Sequence, residues 1–240
     1  MREDRSASGV VCLTLDRPER LNAFTADDYR DVRLAFERAA SDDGTRVIVL
    51  TGSGRAFSAG ADRALVDGSA GADELRRAGD EFVAMLDAVD ACEKPVVAAV
   101  NGLAVGIGCT ILLHCDLVVS AASARFRFPF TALGVAPEAG SSVLLPARAR
   151  WGDALWAMLS SEWIDAPAAL AMGIVWRVVP DDALGAAAED VAGTLAALDP
   201  AAVAATKRLL VAGRADAVRG AIAREHAEMA ALVAARRNPS

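Results

Sequence analysis

The sequence predicts an α/β fold for most of the chain. Two short apolar segments, residues 46–51 and 95–100, have the length and the β-branched content of buried strands. A glycine-rich turn follows each of them, and segments with helical periodicity, such as residues 73–92, lie between the strands. Strands that alternate with helices in this order are typical of an α/β domain, in which the glycine loops gather at one edge of the sheets.

The first elements follow from local patterns at the beginning of the chain. Residues 10–16 alternate enough to form a strand, and the segment RPERLN after them has the chemistry of a turn. Thr25 can cap the next helix, with Asp28 three residues later in the manner of a capping box. Apolar residues then recur at helical spacing through about residue 40, and the segment SDDGT ends the helix.

The later elements are a buried strand and turn, followed by a series of helices. The strand at 95–100 leads through three glycines into a helical turn at 109–113. Beyond Pro146 the sequence becomes alanine-rich, and we predict helices at residues 152–159, 167–172, 181–198, 200–210 and 217–233. A soft boundary near residue 180 separates a core at 1–180 from a helical region at 181–240.

The last predicted helix has a narrow apolar stripe. Ile222, His226, Met229 and Val233 fall on one face of it. A stripe of this kind suits packing against another helix or another subunit, so we do not expect a monomer.

Composition and charge exclude several classes of function. The chain has 240 residues, 54% of them hydrophobic, and a formal charge of −7, which suits one large domain with a substantial core. No lysine- and arginine-rich face is evident, so we do not expect nucleic acid as a partner. The charged N-terminus lacks an apolar signal segment, and the uncharged stretch at 95–115 is interrupted by Asn101 and by glycines. We therefore expect a soluble, cytoplasmic protein with no membrane partner.

Several residues with reactive side chains fit structural roles best. The four cysteines contain no CxxC pair, which predicts reduced thiols, and nothing near Cys109 favours a nucleophile. We expect His114 to be a satisfied core group, His226 to pack on the inward face of the last helix, and Asp116 to orient backbone. No Walker loop, Ser–His–Asp order or metal-ligand spacing is present, so neither a metal nor a separate cofactor is expected.

Two glycine-rich turns, at residues 58–62 and 105–108, carry the first chemical signal. Each can present a backbone N–H with no side chain in the way, and two such donors that meet at one oxygen would stabilise an enolate or a tetrahedral intermediate. Either turn taken alone is equally compatible with a tight turn that binds nothing. A third segment adds one carboxylate, Glu138, directly after Pro137.

These segments together resemble the crotonase (enoyl-CoA hydratase/isomerase) superfamily. The resemblance covers residues 10–179 and rests on RPERLNAFT, AFSAGAD, KPVVAAVNGLAVGIG, the following Cys-Asp pair and LGVAPEAGSS, in that order. It implies a crotonase-like spiral of ββα units and a coenzyme A thioester as substrate, with the coenzyme A part of that substrate. It also implies a homotrimer or a dimer of trimers, in which the C-terminal helical region serves oligomerisation and covers the pocket.

The resemblance also implies roles for particular backbone groups. By position, the N–H groups of Ala61 and Ile107 would form an oxyanion hole aimed at the thioester carbonyl. The backbone around Ala23, Ala59 and Asp62 would lie along the coenzyme A moiety.

The acidic residues decide which reaction the resemblance implies. Hydratases of the superfamily use two glutamates, and the matching positions here are Thr110 and Phe130, neither of which can act as a general base. The remaining carboxylate, Glu138, lies in a setting that resembles the Δ3,Δ2-enoyl-CoA isomerase branch. Moving a double bond from C3 to C2 needs one group that removes a proton from C2 and returns one at C4. An apolar lining of Phe128, Phe130 and Leu133 would raise the pKa of this glutamate.

Three functions therefore compete at the level of sequence. The first is 3-enoyl-CoA isomerisation in fatty acid oxidation, with Glu138 as the single acid and base. The second is an enoyl-CoA hydratase or another crotonase-fold enzyme, in which a different group handles water. The third is a non-catalytic acyl-CoA-binding protein, in which Glu138 only stabilises the first turn of a helix.

Overall fold

The computed structural model describes residues 1–237, and its strands form two sheets. The strands are β1 (Arg2–Arg5), β2 (Val10–Leu15), β3 (Val47–Gly52), β4 (Ala56–Ser58), β5 (Val96–Val100), β6 (Leu103–Val105), β7 (Leu117–Ala121), β8 (Arg125–Arg127), β9 (Ile164–Asp165) and β10 (Arg177–Val179). The larger sheet has the order β1-β2-β3-β5-β7-β10 and is parallel except for β1. The smaller sheet has the order β4-β6-β8-β9 and is parallel except for β9.

The helices fill the connections between the strands and form the C-terminal part. They are α1 (Ala26–Ser41), α2 (Arg63–Val66), α3 (Ala72–Asp90), α4 (Ile107–Thr110), α5 (Phe130–Leu133), α6 (Ser141–Leu144), α7 (Trp151–Ser160), α8 (Ala166–Ala171), α9 (Leu184–Ala196), α10 (Pro200–Ala212) and α11 (Ala215–Arg237). Short 3-10 turns occur at Pro18–Arg20, Ile111–Leu113 and Asp181–Ala183. The long helices begin and end within a few residues of the predicted bounds.

The chain alternates between the two sheets. The consecutive strands β3 and β4 belong to different sheets, as do β5 and β6, and β7 and β8, and helical segments follow each pair. The ββα repeat implied by the resemblance is therefore confirmed. Because the carboxyl ends of parallel strands lie at one edge, the turns after β4 and β6 come together, and these are the two glycine-rich turns.

Burial explains why the strands have uninterrupted apolar sequences. Every residue of β5 is buried, as are the first four residues of β3, because helices cover a parallel sheet on its faces. Helix α9 packs on the larger sheet, where it contacts β3, β5 and β7. Leu184, Ala188 and Val191 lie on its buried face.

The predicted capping box is present at the start of α1. The Asp28 amide donates to Thr25 Oγ1 over 3.3 Å, and the Thr25 amide donates to the Asp28 carboxylate over 2.9 Å. These two bonds satisfy donors that have no partner within the helix, so they fix the first residue of α1.

The orientation of α11 differs from the prediction. His226 is exposed, and the buried residues of this helix are Val218, Ala221 and Glu225. The prediction that His226 faces inward is therefore wrong: the residue before it, Glu225, faces inward instead. The alanine-rich sequence does not fix that rotation, whereas hydrogen bonds to Glu225 do, as described below.

The cysteines are confirmed as free thiols, three of them buried. Within residues 1–237, no helix combines the length and the apolar character needed to cross a bilayer.

Candidate active site

The two glycine-rich turns touch each other. Gly60 and Gly106 have φ angles of +94° and +54°, which L residues with side chains rarely adopt. A Cβ atom on Gly60 would lie 2.8 Å from the Val105 carbonyl oxygen, and a Cβ atom on Gly106 would lie 3.9 Å from the Gly60 Cα. Only glycine allows this approach. The contact between the two turns brings Ala61, which follows Gly60, close to Ile107, which follows Gly106.

The amides of Ala61 and Ile107 are unpaired. In the part of the chain that the structure describes, neither N–H donates to a protein acceptor. Ile107 is the first residue of α4, where a helix has no internal acceptor for its amide. On either side of Ala61, by contrast, the Gly60 amide donates to Ser58 Oγ over 3.1 Å and the Asp62 amide donates to the Phe24 carbonyl over 2.7 Å. The unpaired amides can therefore serve a ligand oxygen.

A short parallel ladder extends from this pair of turns. The Phe24 amide donates to the Gly60 carbonyl over 2.8 Å, so the segment before α1 pairs with the segment after β4. Ala23, Ala59 and Asp62 lie in the two segments that this ladder joins and are partly exposed. The ladder thus places the three residues predicted to line coenzyme A next to the unpaired amides.

Glu138 lies in a tight turn between α5 and α6. The next two residues, Ala139 and Gly140, have φ angles of +60° and +67°, and the Ser141 amide donates to the Glu138 carbonyl over 3.0 Å. A left-handed alanine is unusual, so other contacts must hold this turn. The Glu138 carboxylate forms no hydrogen bond or ion pair with the described residues. Burial, together with the negative charge of Glu225, raises its pKa to about 7.

A buried histidine holds one side of the turn. His114 Nε2 donates to the Ala139 carbonyl over 2.7 Å, and its Nδ1 lies 2.7 Å from the Asp90 carboxylate. His114 is only 3% exposed, so the prediction of a satisfied core histidine is confirmed. Its partner is the residue directly after Glu138, which the sequence did not indicate.

A buried glutamate of α11 holds the other side. The Glu225 carboxylate accepts from the Gly140 amide over 2.7 Å and from the Ser142 amide over 2.9 Å. Sequence reasoning missed this residue. The available signal was its position four residues after Ala221 and three after Ile222, which places a carboxylate on the face of α11 that packs against the core.

Phe24, which bonds to Gly60 in this ladder, belongs to an aromatic stack. The Tyr29 ring stacks on the Phe24 ring at a centroid distance of 5.1 Å and meets the Phe82 ring edge-on at 5.5 Å. Burial raises the Tyr29 pKa well above its usual value, and the negative charge of Glu138 contributes to this shift.

The two positions matched to hydratase glutamates carry no titratable group. Thr110 is fully buried in α4, and its hydroxyl has no partner among the described residues. Phe130 begins α5 and is 4% exposed, with its ring centroid 6.5 Å from that of Phe128. Of the three residues predicted to line an acyl pocket, these two lie together in the core, and Leu133 lies at the surface.

Cys109 and Asp116 have the structural roles predicted for them. Burial raises the pKa of the Cys109 thiol to about 12, and this thiol donates to the Ala104 carbonyl over 2.8 Å. The Asp116 carboxylate accepts from the Val96 amide and pairs with Lys207, each over 2.7 Å. Neither side chain is a free acid or nucleophile.

Comparison with known proteins identifies the family. The family model described as enoyl-CoA hydratase/isomerase matches residues 5–235. The chain belongs to this family. It is 41% identical over 176 residues to a probable enoyl-CoA hydratase of Rhodobacter capsulatus, covering 73% of this chain and 67% of that protein. It is 37% identical over 191 residues to 1,2-epoxyphenylacetyl-CoA isomerase of Escherichia coli, covering 78% and 73%.

A solved structure supports the same assignment. An enoyl-CoA hydratase/isomerase from Pseudoalteromonas atlantica superposes with a TM-score of 0.89 at 37% identity, covering 97% of this chain and 91% of the other. The crotonase fold is therefore confirmed, and this enoyl-CoA hydratase/isomerase family member is an enzyme of acyl-CoA chemistry. Because the related proteins are named both as hydratases and as isomerases, the reaction has to be argued from the side chains at the site.

Proposed function

We propose that this family member isomerises 3-enoyl-CoA to 2-enoyl-CoA in fatty acid oxidation, with Glu138 as its single acid and base. One observation carries the proposal. Glu138 is an unpaired carboxylate with a pKa of about 7, whereas the two positions that hold glutamates in hydratases hold Thr110 and Phe130. A group whose pKa lies near the working pH serves well both as a base and as an acid.

The reaction then follows from three groups. Ionised Glu138 removes a proton from C2 of the substrate, and the electron pair moves to the thioester oxygen to give a dienolate. The N–H groups of Ala61 and Ile107 donate to that oxygen as an oxyanion hole, since both lack a protein acceptor. Protonated Glu138 then returns a proton at C4, which leaves the double bond between C2 and C3. Nothing is added and no group leaves, so a second acid is not required.

Substrate binding uses the surroundings of these groups. We assign the coenzyme A moiety to the ladder of Ala23, Ala59 and Asp62, whose partly exposed backbone begins beside the proposed oxyanion hole. We assign the apolar wall of the acyl site to Phe128 and Phe130, with Leu133 at the surface. Such a wall would limit the access of water to the carboxylate when substrate is bound.

The decisive variant is Glu138→Gln, which keeps the shape of the side chain and removes its ability to exchange a proton. We expect isomerisation of 3-hexenoyl-CoA to fall by a factor on the order of 10²–10⁴, with little change in the Kd of hexanoyl-CoA measured by calorimetry. Glu162→Gln is the matched control, because Glu162 is exposed.

Three outcomes separate the competing functions. Full activity of Glu138→Gln would remove this residue from the mechanism. Hydration of crotonyl-CoA by the wild type, without isomerisation, would assign it to the hydratases. Tight binding of hexanoyl-CoA with turnover of neither substrate would make it an acyl-CoA-binding protein.

We also propose that the enzyme assembles as a homotrimer or a dimer of trimers. Large apolar side chains of α7 are exposed, with Trp151 at 69% and Trp156 at 65%. On α10, Leu209 and Leu210 are 78% and 75% exposed. Monomeric proteins rarely present so much apolar surface, so contact with further copies of the chain accounts for it. Light scattering after size exclusion should give a mass of three or six chains, and a monomeric mass would refute the proposal.

A further inference from the structure

The C-terminal helix α11 is attached to the segment that carries Glu138 at several points. Glu225 accepts from the amides of Gly140 and Ser142, as described above. A Cβ atom on Gly140 would lie 2.9 Å from a methyl group of Val218, so this glycine is pressed against α11. Near the end of the same helix, Arg236 donates to the Leu133 carbonyl over 2.8 Å.

We propose that Glu225 is a positioning residue that fixes the Glu138 turn and sets the electrostatic environment of its carboxylate. The proposal rests on the proposed role of Glu138 as the acid and base. In this proposal Glu225 does not contact the substrate. It acts on Glu138 through the backbone of Gly140 and Ser142 and through its negative charge.

The hydrogen bonds explain the positioning. Glu225 is 5% exposed, and both of its carboxylate oxygens are used, one by each amide. Bonds between a carboxylate and backbone N–H groups are stronger than neutral ones, and these two lie two and four residues after Glu138. Together with the bond from His114 to Ala139, they hold a left-handed turn that an alanine would otherwise avoid.

The charge of Glu225 acts on Glu138 in a defined direction. A nearby negative charge disfavours ionisation, so it raises the pKa of Glu138 in addition to the larger effect of burial. Other polar or charged groups near the turn belong to different elements. The pair of His114 and Asp90 lies behind Ala139, and Arg236 donates to the Leu133 carbonyl, five residues before Glu138. The charge of Glu138 also contributes to the raised pKa of the buried Tyr29 phenol of α1.

The first test is the pH dependence of isomerisation in Glu225→Gln and Glu225→Asp. In the wild type, kcat/KM should fall as pH drops through about 7, where Glu138 becomes protonated. Glu225→Gln removes the charge, so this acidic limb should move to lower pH by up to about one unit, because burial remains the larger cause. The glutamine also loses one of the two acceptor positions, and kcat should fall at least tenfold with KM within twofold.

Glu225→Asp keeps the charge but shortens the side chain by one methylene group. Its acidic limb should stay close to that of the wild type, while kcat falls because the amides are held less well. Glu228→Gln is the control, since Glu228 is exposed one turn later on the same helix, and neither quantity should change. A limb that does not move in Glu225→Gln, or an unchanged kcat in Glu225→Asp, would overturn the proposal. If Glu225→Gln fails to fold, the kcat of Glu225→Asp still tests whether Glu225 positions the turn.

A second readout does not depend on the reaction. The side-chain carboxyl carbon of Glu138 can be titrated by ¹³C NMR in protein labelled at glutamate, with Glu138→Gln used to assign the signal. Its midpoint should be lower in Glu225→Gln than in the wild type, and an unchanged midpoint would overturn the electrostatic role of Glu225. If the wild type proves not to be an isomerase, this titration still tests the interaction between the two glutamates.

Discussion

The raised pKa of Glu138 predicts that this residue destabilises the fold at neutral pH. In the unfolded chain the carboxyl has a pKa near 4.5, whereas in the folded protein the value is about 7. Between these two values the folded state holds more protons than the unfolded state. The free energy of unfolding therefore falls as pH rises through this window. Above pH 7 the full penalty of holding an ionised carboxylate in this position is present, and below pH 4.5 it is absent.

The size of the effect follows from the shift. One pKa unit corresponds to ~1.4 kcal/mol, so a shift from 4.5 to about 7 is equivalent to about 3 kcal/mol. The Glu138 side chain is partly exposed, so some of the penalty is relieved by water, and we expect about 2 kcal/mol. Glu138→Gln removes the ionisation. It should therefore stabilise the protein by about this amount at pH 8 and by almost nothing at pH 4.5.

Urea unfolding of the wild type and of Glu138→Gln, repeated between pH 4.5 and pH 8, measures this difference directly. The difference between the two proteins cancels the titration of all other groups that the substitution leaves unchanged. Protomer concentration must be held constant, because assembly contributes to stability. Glu162→Gln is the matched control for the removal of an exposed carboxylate. If the gain from Glu138→Gln is the same at every pH, the folded-state pKa is not raised and the reasoning fails.

Two further predictions concern how the site is built. His114→Ala leaves the Ala139 carbonyl without its donor, so it should lower the free energy of unfolding by about 1–3 kcal/mol and reduce kcat more than it raises KM. Unchanged stability in a urea titration would contradict this. Gly60→Ala places a Cβ atom 2.8 Å from the Val105 carbonyl and should lower kcat/KM by roughly 100-fold. Gly68→Ala is the control, since Gly68 also has a positive φ but no atom within 4 Å of the added Cβ, and comparable losses in both variants would refute the reasoning.

Elements whose signal is local were predictable from the sequence. Strands β3 and β5 lie inside the larger sheet and are largely buried, so their apolar residues are consecutive and visible without knowledge of their neighbours. The start of α1 was predictable because both partners of its capping box lie within four residues of each other. The three-residue strands β4, β6 and β8 were missed, because segments this short are strands only through pairing with each other.

The candidate site was predictable only in part, for the same physical reason. The glycines indicate that two segments of the backbone approach closely. The position of Glu138 directly after Pro137 indicates a candidate acid. Nothing local indicates that Glu225, 85 residues after Gly140, is their neighbour. Helix α11 carries alanine on much of its surface, so its inward face could not be fixed from apolar spacing, and His226 was placed inward by mistake.

The position of Glu138 therefore depends on residues far from its own motif. Its turn contains a left-handed alanine and carries a carboxylate whose ionisation is unfavourable, and both features work against folding. Hydrogen bonds of His114 and Glu225 offset the strain of the turn, whereas the charge of Glu225 adds to the cost of ionising Glu138. Glu225 lies beyond the boundary near residue 180 that the sequence predicts. A similar motif placed on a core without α11 would keep the carboxylate but lose two of the bonds that hold its turn. The short segment around Pro137 thus identifies the acid, whereas its geometry and its pKa are properties of the whole chain.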